Sequence, residues 1–223
     1  MDTIDYLAGF FDGDGSLVLG KYSKGLIYHA AIAQKDPDVL YEFQKGMKGL
    51  GRVVEGKGGF TGNPCFYWRV TRREELKKFL TLVGPFLRTE KQKKSRLLLR
   101  MVNLRGVSGQ KVSEEVKRKR RKILRDWTRI KPSFRGGNIS LSYLAGLIDA
   151  EATAFRSSRN QLTVVVYQLN LEMLKSLKTQ FNTGSLQTDS RNGVGRWKIK
   201  SKPLLSRLLP LSRKIYVKEA GRP

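Results

Sequence analysis

The chain carries a single cysteine, Cys65, and a single histidine, His29, in 223 residues. One thiol cannot close an internal disulfide, so a disulfide scaffold is excluded. Zinc sites built from several Cys and His are excluded with it. Nucleases that rely on a histidine base are disfavoured, and His29 reads as an ordinary residue of an apolar segment. Cys65 reads as a small core residue. No apolar run is long enough to span a bilayer. The acidic start, Met1-Asp2-Thr3-Ile4-Asp5, lacks the basic head of a secretory signal. An intracellular protein without a membrane partner is expected, in the cytoplasm or nucleoid of a prokaryote or in an organelle. Acidic residues are also scarce: 19 Asp and Glu stand against 44 Lys and Arg, a net charge of +25. Such a surface repels itself unless a polyanion covers it, and nucleic acid is the commonest such partner. A hydrophobic fraction of 39% is sufficient for a buried core, so disorder is not the default.

What the sequence does contain is a second copy of itself. Tyr6-Leu7-Ala8-Gly9-Phe10-Phe11-Asp12-Gly13-Asp14-Gly15 matches Tyr143-Leu144-Ala145-Gly146-Leu147-Ile148-Asp149-Ala150-Glu151-Ala152. Downstream, Ala31-Ile32-Ala33-Gln34 answers Val165-Val166-Tyr167-Gln168, and Gly51 answers Gly184. Trp68-Arg69-Val70 answers Trp197-Lys198-Ile199, and Pro85-Phe86-Leu87 answers Pro210-Leu211-Ser212. A repeat of this length is a duplicated half-domain rather than a solenoid unit. Each copy opens on a short apolar helix, Thr3–Gly13 and Leu141–Ala150. Two strands follow, Ser16–Tyr22 with Leu26–Gln34, and Thr153–Ser157 with Gln161–Gln168, where β-branched runs such as Val164-Val165-Val166 favour extended backbone. Helices are expected at Pro37–Lys48 and Glu172–Phe181, from the helical spacing of residues such as Met173, Leu174 and Leu177. A second hairpin pairs Arg52–Glu55 with Phe66–Val70, and Ser185–Thr188 with Gly195–Lys200. A last helix covers Arg73–Val83 and Pro203–Leu209. The fold class is therefore α+β, two pseudo-symmetric αββαββα repeats.

The first copy carries an addition without a counterpart. Lys91–Val102 reads as a helix, and Ser113–Thr128 as a very basic one. Val116, Ile123, Leu124 and Trp127 recur in the latter at helical spacing, so it is expected to pack. Pro132–Asn138, rich in Pro, Gly and Ser, reads as a linker. The organisation predicted is a first repeat with extra basic helices over 1–131, a linker over 132–140 and a second repeat over 141–223.

The two segments Leu-Ala-Gly-Phe-Phe-Asp-Gly-Asp-Gly and Leu-Ala-Gly-Leu-Ile-Asp-Ala-Glu-Ala resemble the signature helices of the LAGLIDADG homing endonucleases, in the monomeric two-repeat form. The resemblance implies a DNA-cutting enzyme in which the carboxylate at the eighth motif position binds metal. Here that position holds Asp14 and Glu151, flanked by Gly13 and Ala150, which are assigned to the same metal site. The sixth position, Asp12 and Asp149, is usually structural in the family. The residue types make physical sense on their own. Ala8-Gly9 and Ala145-Gly146 let two helix backbones approach closely. Packed about a pseudo-two-fold axis, the helices would set Asp14 beside Glu151. Close carboxylates repel each other, and a hard divalent cation such as Mg²⁺, or Mn²⁺ in its place, resolves that repulsion. Two departures stand out: Glu151 replaces the commoner Asp, and Ala152 replaces a Gly whose φ, if positive, would strain an alanine.

The resemblance further implies a polar residue at the end of the second strand, Gln34 and Gln168, and a basic residue after the last shared helix. Lys91 fits the latter role in the first copy and Lys218 in the second, with Lys214 as the alternative. Strand ribbons fit the DNA major groove, where base edges are distinguishable. Outward-facing candidates are Lys21, Ser23, Lys24, Tyr28, Ala30, Arg69 and Thr71 in the first copy. In the second they are Arg156, Ser158, Arg159, Asn160, Gln161, Thr163, Gln187, Asp189, Arg191, Asn192, Arg196, Lys198 and Lys200. Gly56–Asn63 is a candidate loop to order on DNA. Because the copies differ, a monomer would bind a non-palindromic duplex. Family members cut both strands and leave short 3′ overhangs. The same fold and charge also serve an RNA-binding maturase acting on its host intron RNA, or a non-catalytic DNA-binding regulator. Retention of both Asp14 and Glu151 favours cutting.

Overall fold

A computed structural model of the chain describes residues 4–22, 25–57, 64–104, 112–156, 161–190 and 192–213. The chain forms two compact units. One comprises Met1–Asp14 with Pro132–Pro223, and the other Gly15–Lys131. Packing thus groups the first signature helix, α1 (Ile4–Asp14), with the second repeat.

The Gly15–Lys131 unit contains β1 (Gly15–Tyr22), β2 (Gly25–Gln34), α2 (Pro37–Gly46), β3 (Arg52–Lys57), β4 (Pro64–Val70) and α3 (Arg73–Val83), then α4 (Lys91–Asn103) and α5 (Glu114–Thr128). All strand pairs are antiparallel, in the order β1-β2-β4-β3. One face is buried through Leu17, Leu19, Ala30, Ile32, Trp68 and Val70, which pack with Leu40, Phe43, Leu76 and Phe79 of the helices. Trp68 anchors this core: the Phe43 ring meets it edge-on at 4.9 Å, and Phe79 lies 5.2 Å away. Asp36 starts α2 by accepting from the Asp38 backbone N–H at 3.0 Å, ahead of Pro37, a residue suited to the first helical turn. In α5 only Ile123 is fully buried, with Val116, Leu124 and Trp127 half-buried, so the packed stripe expected from spacing is present.

The other unit holds α1, α6 (Leu141–Glu151), β5 (Ala152–Arg156), β6 (Leu162–Gln168), α7 (Leu171–Phe181), β7 (Ser185–Thr188), β8 (Gly195–Ile199) and α8 (Lys202–Leu208). Its sheet has the order β5-β6-β8-β7, the same path as the first. Val164, Val166, Trp197 and Ile199 face the core. Ser140 and Asn170 cap α6 and α7, accepting from Tyr143 N at 3.1 Å and Met173 N at 3.2 Å. The sequence repeat reappears here as one repeated packing device. Trp68 Nε1 donates to the Leu50 carbonyl at 2.8 Å, and Trp197 Nε1 to the Thr183 carbonyl at 2.9 Å. The residue that follows each acceptor is fixed by it: Gly51 (φ +79°) and Gly184 (φ +82°) sit against the indoles, where a β-carbon would lie 2.7 and 2.6 Å from Nε1. Only glycine satisfies both the left-handed backbone and the contact.

Three expectations are corrected. Both signature helices run one residue further than expected, so Asp14 and Glu151 are their last helical residues. Ala152 is extended (φ −104°, ψ 157°), so the helix exit is unstrained and alanine costs nothing there. In the first sheet the outward phase is shifted by one. Lys21, Tyr28 and Ala30 share the register of Leu17, Leu19 and Ile32, the core-facing set, although Lys21 emerges at the strand end. The outward set is Ser16, Val18, Ile27, His29, Ala31 and Ala33. β2 is apolar on both parities, so alternation in the sequence did not distinguish its faces.

Candidate metal and nucleic-acid site

The site is built on the pair α1 and α6. The motif glycines are where the backbones touch. A β-carbon at Gly9 would lie 2.8 Å from the Tyr143 carbonyl carbon and closer still to its oxygen. One at Gly146 would lie 2.8 Å from Phe10 N and 2.9 Å from the Tyr6 carbonyl carbon. Around these points Leu7, Ala8, Phe10, Phe11, Leu144, Ala145, Leu147 and Ile148 are buried. Further along, a β-carbon at Gly13 would press on Ala150 and lie 3.0 Å from Glu151 Cγ. Equivalent positions of the two motifs therefore meet, the helices run side by side in the same direction, and their C-terminal ends coincide. Asp14 and Glu151 close those ends.

Two reciprocal hydrogen bonds lock this pairing. The Tyr6 hydroxyl donates to Asp149 Oδ2 at 2.8 Å, and the Tyr143 hydroxyl to Asp12 Oδ2 at 2.7 Å. Asp149 also accepts from the Ser212 hydroxyl at 2.7 Å and the Arg213 backbone N–H at 2.9 Å. Asp12 and Asp149 are 3% and 5% exposed. These acids are structural: buried carboxylates must be hydrogen-bonded, and here the bonds run from helix to helix. The tyrosines were visible in the sequence at the same place in both copies. What they touch was not.

Electrostatically, both helices end badly for a carboxylate. The C-terminus of a helix carries partial negative charge, and neither helix has a basic residue in its last turn. Two acids at two such ends form a site that attracts a cation. The side-chain donors are all oxygen, which fits a hard divalent ion. Among the described residues, no group of three or more His, Cys, Asp or Glu could hold a metal by itself. Glu151 is oriented by Gln168, whose Nε2 donates to Oε1 at 2.9 Å. Gln34 ends β2 as Gln168 ends β6: each lies two residues beyond the partner of the last motif residue, Gly15 opposite Ile32 and Ala152 opposite Val166. Lys91 opens α4 next to Thr89, whose hydroxyl accepts its backbone N–H at 3.3 Å. Lys214 and Lys218 lie outside the described residues, as do Ser23, Lys24, Ser158, Arg159, Asn160, Arg191 and most of the loop ending at Asn63.

Each sheet presents its second face away from its own core. On the first, Arg69 is exposed and stacks its guanidinium over Tyr67 at 4.7 Å; Arg52 stands opposite it. Ile27 and Val54 are 40% and 42% exposed on that same face. His29 shares it too, a placement the sequence did not reveal. Burial, and then the charge of Arg69, hold its pKa below the ordinary value of 6.5. On the second sheet, Gln187 pairs opposite Arg196 and both are exposed; Arg196 also bonds Asp189 at 2.7 Å and lies 6.0 Å from the Tyr167 ring. Lys198 is half-buried on this face. Thr163 shares its register but is fully buried, directly across from Phe155, so this short side chain does not reach solvent. Arg156 falls on the opposite, core-facing register with Ala152 and Ala154. It emerges at the strand end, where Gln161, Lys200, Lys202 and Ser206 line an open groove with it.

Two four-stranded antiparallel sheets, with motif helices joined at their glycines, make the fold of the LAGLIDADG homing endonucleases. Residues 3–84 match the family model described as a LAGLIDADG-like domain. The structure of the LAGLIDADG homing endonuclease I-GzeII in complex with its DNA target matches with a TM-score of 0.67 at 17% identity, over 96% of this chain and 84% of that one. The meganuclease I-SmaMI on uncleaveable DNA with a TTGT central four matches with a TM-score of 0.70 at 18% identity, over 97% and 88%. I-SmaMI bound to uncleaved DNA in the presence of calcium ions matches at 0.67 and 18%, over 95% and 85%. Among curated proteins, none matches this sequence. No helix of the described residues is long and apolar enough to cross a membrane.

Proposed function

We propose that this chain is a monomeric, site-specific endonuclease that hydrolyses phosphodiesters in both strands of a long, non-palindromic DNA duplex with divalent cations. The observation that carries this reading is the coincidence of Asp14 and Glu151 at the joined ends of α1 and α6. The two carboxylates would hold the metal, with backbone carbonyls near Gly13 and Ala150 and the DNA phosphate oxygens supplying further ligands. A bound Mg²⁺ or Mn²⁺ would lower the pKa of water and neutralise charge developing on the phosphate.

The chain's own residues do the rest. Asp12 and Asp149, through the two tyrosines, fix the helix pair and so the spacing of the carboxylates. Gln168 holds Glu151 in one orientation and keeps its amide oxygen available to position water. Gln34, by its register, and Lys91 and Lys218, by the family resemblance, are assigned to the surroundings of the scissile phosphates. Arg69, Gln187, Arg196 and Lys198 lie on the open sheet faces, where Arg and Gln can pair with guanine and adenine edges. Ile27 and Val54 offer apolar contact suited to thymine methyl groups. Lys21, Tyr28, Arg156, Gln161 and Lys200, at strand ends or on the other register, are left to backbone contact.

The test is cleavage of a randomised duplex library with Mg²⁺, followed by the recovered site with Asp14→Asn. Cutting should disappear while binding in EDTA persists. Cutting in excess EDTA, or equal loss of binding and cutting in the variant, would reject the mechanism. Binding to a structured intron RNA without any DNA cleavage would favour the maturase alternative.

A further inference from the structure

We infer that α5 carries a second duplex-binding surface, a cationic ridge that grips DNA phosphates independently of base sequence. It rests on the reading of the protein as a DNA binder. The helix has no counterpart among the described residues of the second repeat and contributes one fully buried side chain, Ile123, across 15 residues. The core alone does not explain it. Its faces are sharply divided. Val116, Arg120, Ile123 and Trp127 recur at spacings of four, three and four, and form the packed side. There Arg120 donates to the Leu104 carbonyl at 3.3 Å, and Lys94 lies 5.9 Å from the Trp127 ring.

Arg118, Lys122, Arg125 and Arg129 recur at the same spacings on the opposite side, and all four are exposed. At 3.6 residues per turn they fall within about 60° of one another and span roughly 16 Å. Like charges at these spacings work against a helix. The acids of the first turn, Glu114 and Glu115, are engaged by Lys117 at 2.6 Å and Lys119 at 2.5 Å. Asp126 flanks the ridge and offsets only part of it. A duplex presents one negative charge per about 1.7 Å of axis, which complements a rigid row of this length. Three of the four side chains are arginine, whose fork matches phosphate oxygens.

The experiment replaces the four residues with glutamine, a good helix former, in the full chain. Binding to a random-sequence duplex in EDTA is measured by anisotropy across a salt series. A matched control replaces Lys45, Lys48, Arg72 and Lys78, exposed on or beside α2 and α3, with the same loss of net charge. If all four ridge residues meet phosphates, the slope of log K against log salt should become shallower by about 3.6, while the control moves little. A double variant, Arg118→Gln with Arg125→Gln, should give about half the change. An unchanged slope in the ridge variants, or an equal change in the control, would overturn the ridge. So would loss of binding to RNA alone. Failure of the parent to bind any duplex would instead remove the DNA-binding reading on which the ridge rests.

Discussion

A methyl group added at Gly146 tests the helix pair directly. In an isolated helix, Gly→Ala is favourable by about 1 kcal/mol. In this protein the new β-carbon would sit 2.8 Å from Phe10 N and 2.9 Å from the Tyr6 carbonyl carbon, and nearer still to the Tyr6 oxygen. All three are backbone atoms, so no side chain can swing away. The helices must separate, loosening the packing of Phe10, Phe11, Leu144 and Leu147 and stretching both Tyr–Asp bonds. Overpacking of this sort costs about 3 kcal/mol. The clash outweighs the propensity gain, leaving a net loss of about 2 kcal/mol. For a chain of this size that lowers Tm by roughly 4–8 °C. Differential scanning calorimetry of Gly146→Ala, with Gly20→Ala as a control whose β-carbon meets nothing within 4 Å, measures it. A Gly146→Ala protein melting within a degree of the parent would refute the close contact, and with it the placement of the two carboxylates.

Tyr143→Phe removes the 2.7 Å bond to the buried Asp12 carboxylate and should cost about 1–3 kcal/mol in urea unfolding with an unchanged m-value; an unaltered midpoint would deny Asp12 its structural role. His29 has a folded pKa below 6.5, so as pH falls through 6.5 the unfolded chain takes up a proton before the folded one does, and stability is lost. His29→Gln should flatten that part of the stability–pH curve, and identical curves would contradict it. At steps where Ile27 or Val54 meets thymine, replacing it with deoxyuridine should weaken binding about fourfold per lost methyl, from about 0.8 kcal/mol of apolar transfer; equal affinity at every thymine would exclude apolar readout on this sheet.

Much of this was legible in the sequence because duplication supplies its own control. Asp14 aligned with Glu151, Gln34 with Gln168, Gly51 with Gly184 and Trp68 with Trp197, and a residue kept at the same place in both halves has the same job twice. Element boundaries fell within a few residues of their positions, since helical and strand periods are local properties of the chain. Strand phase was less accessible. β2 and β6 are apolar on both parities, so the register that turns Tyr28 and Ala30 toward the core, or leaves Thr163 at zero exposure, depends on which neighbours the sheet packs against. The tyrosine partners of Asp12 and Asp149 lie 131 and 143 residues away.

By itself the sequence determined the α+β repeat, the two acids and the basic surface, because composition, period and duplication are written along one dimension. The small residues of the two motifs already pointed to the joining of α1 and α6; tertiary packing alone decided which sheet face is open and which acids are locked by tyrosine. Those are properties of contacts between distant segments, and no local pattern encodes them.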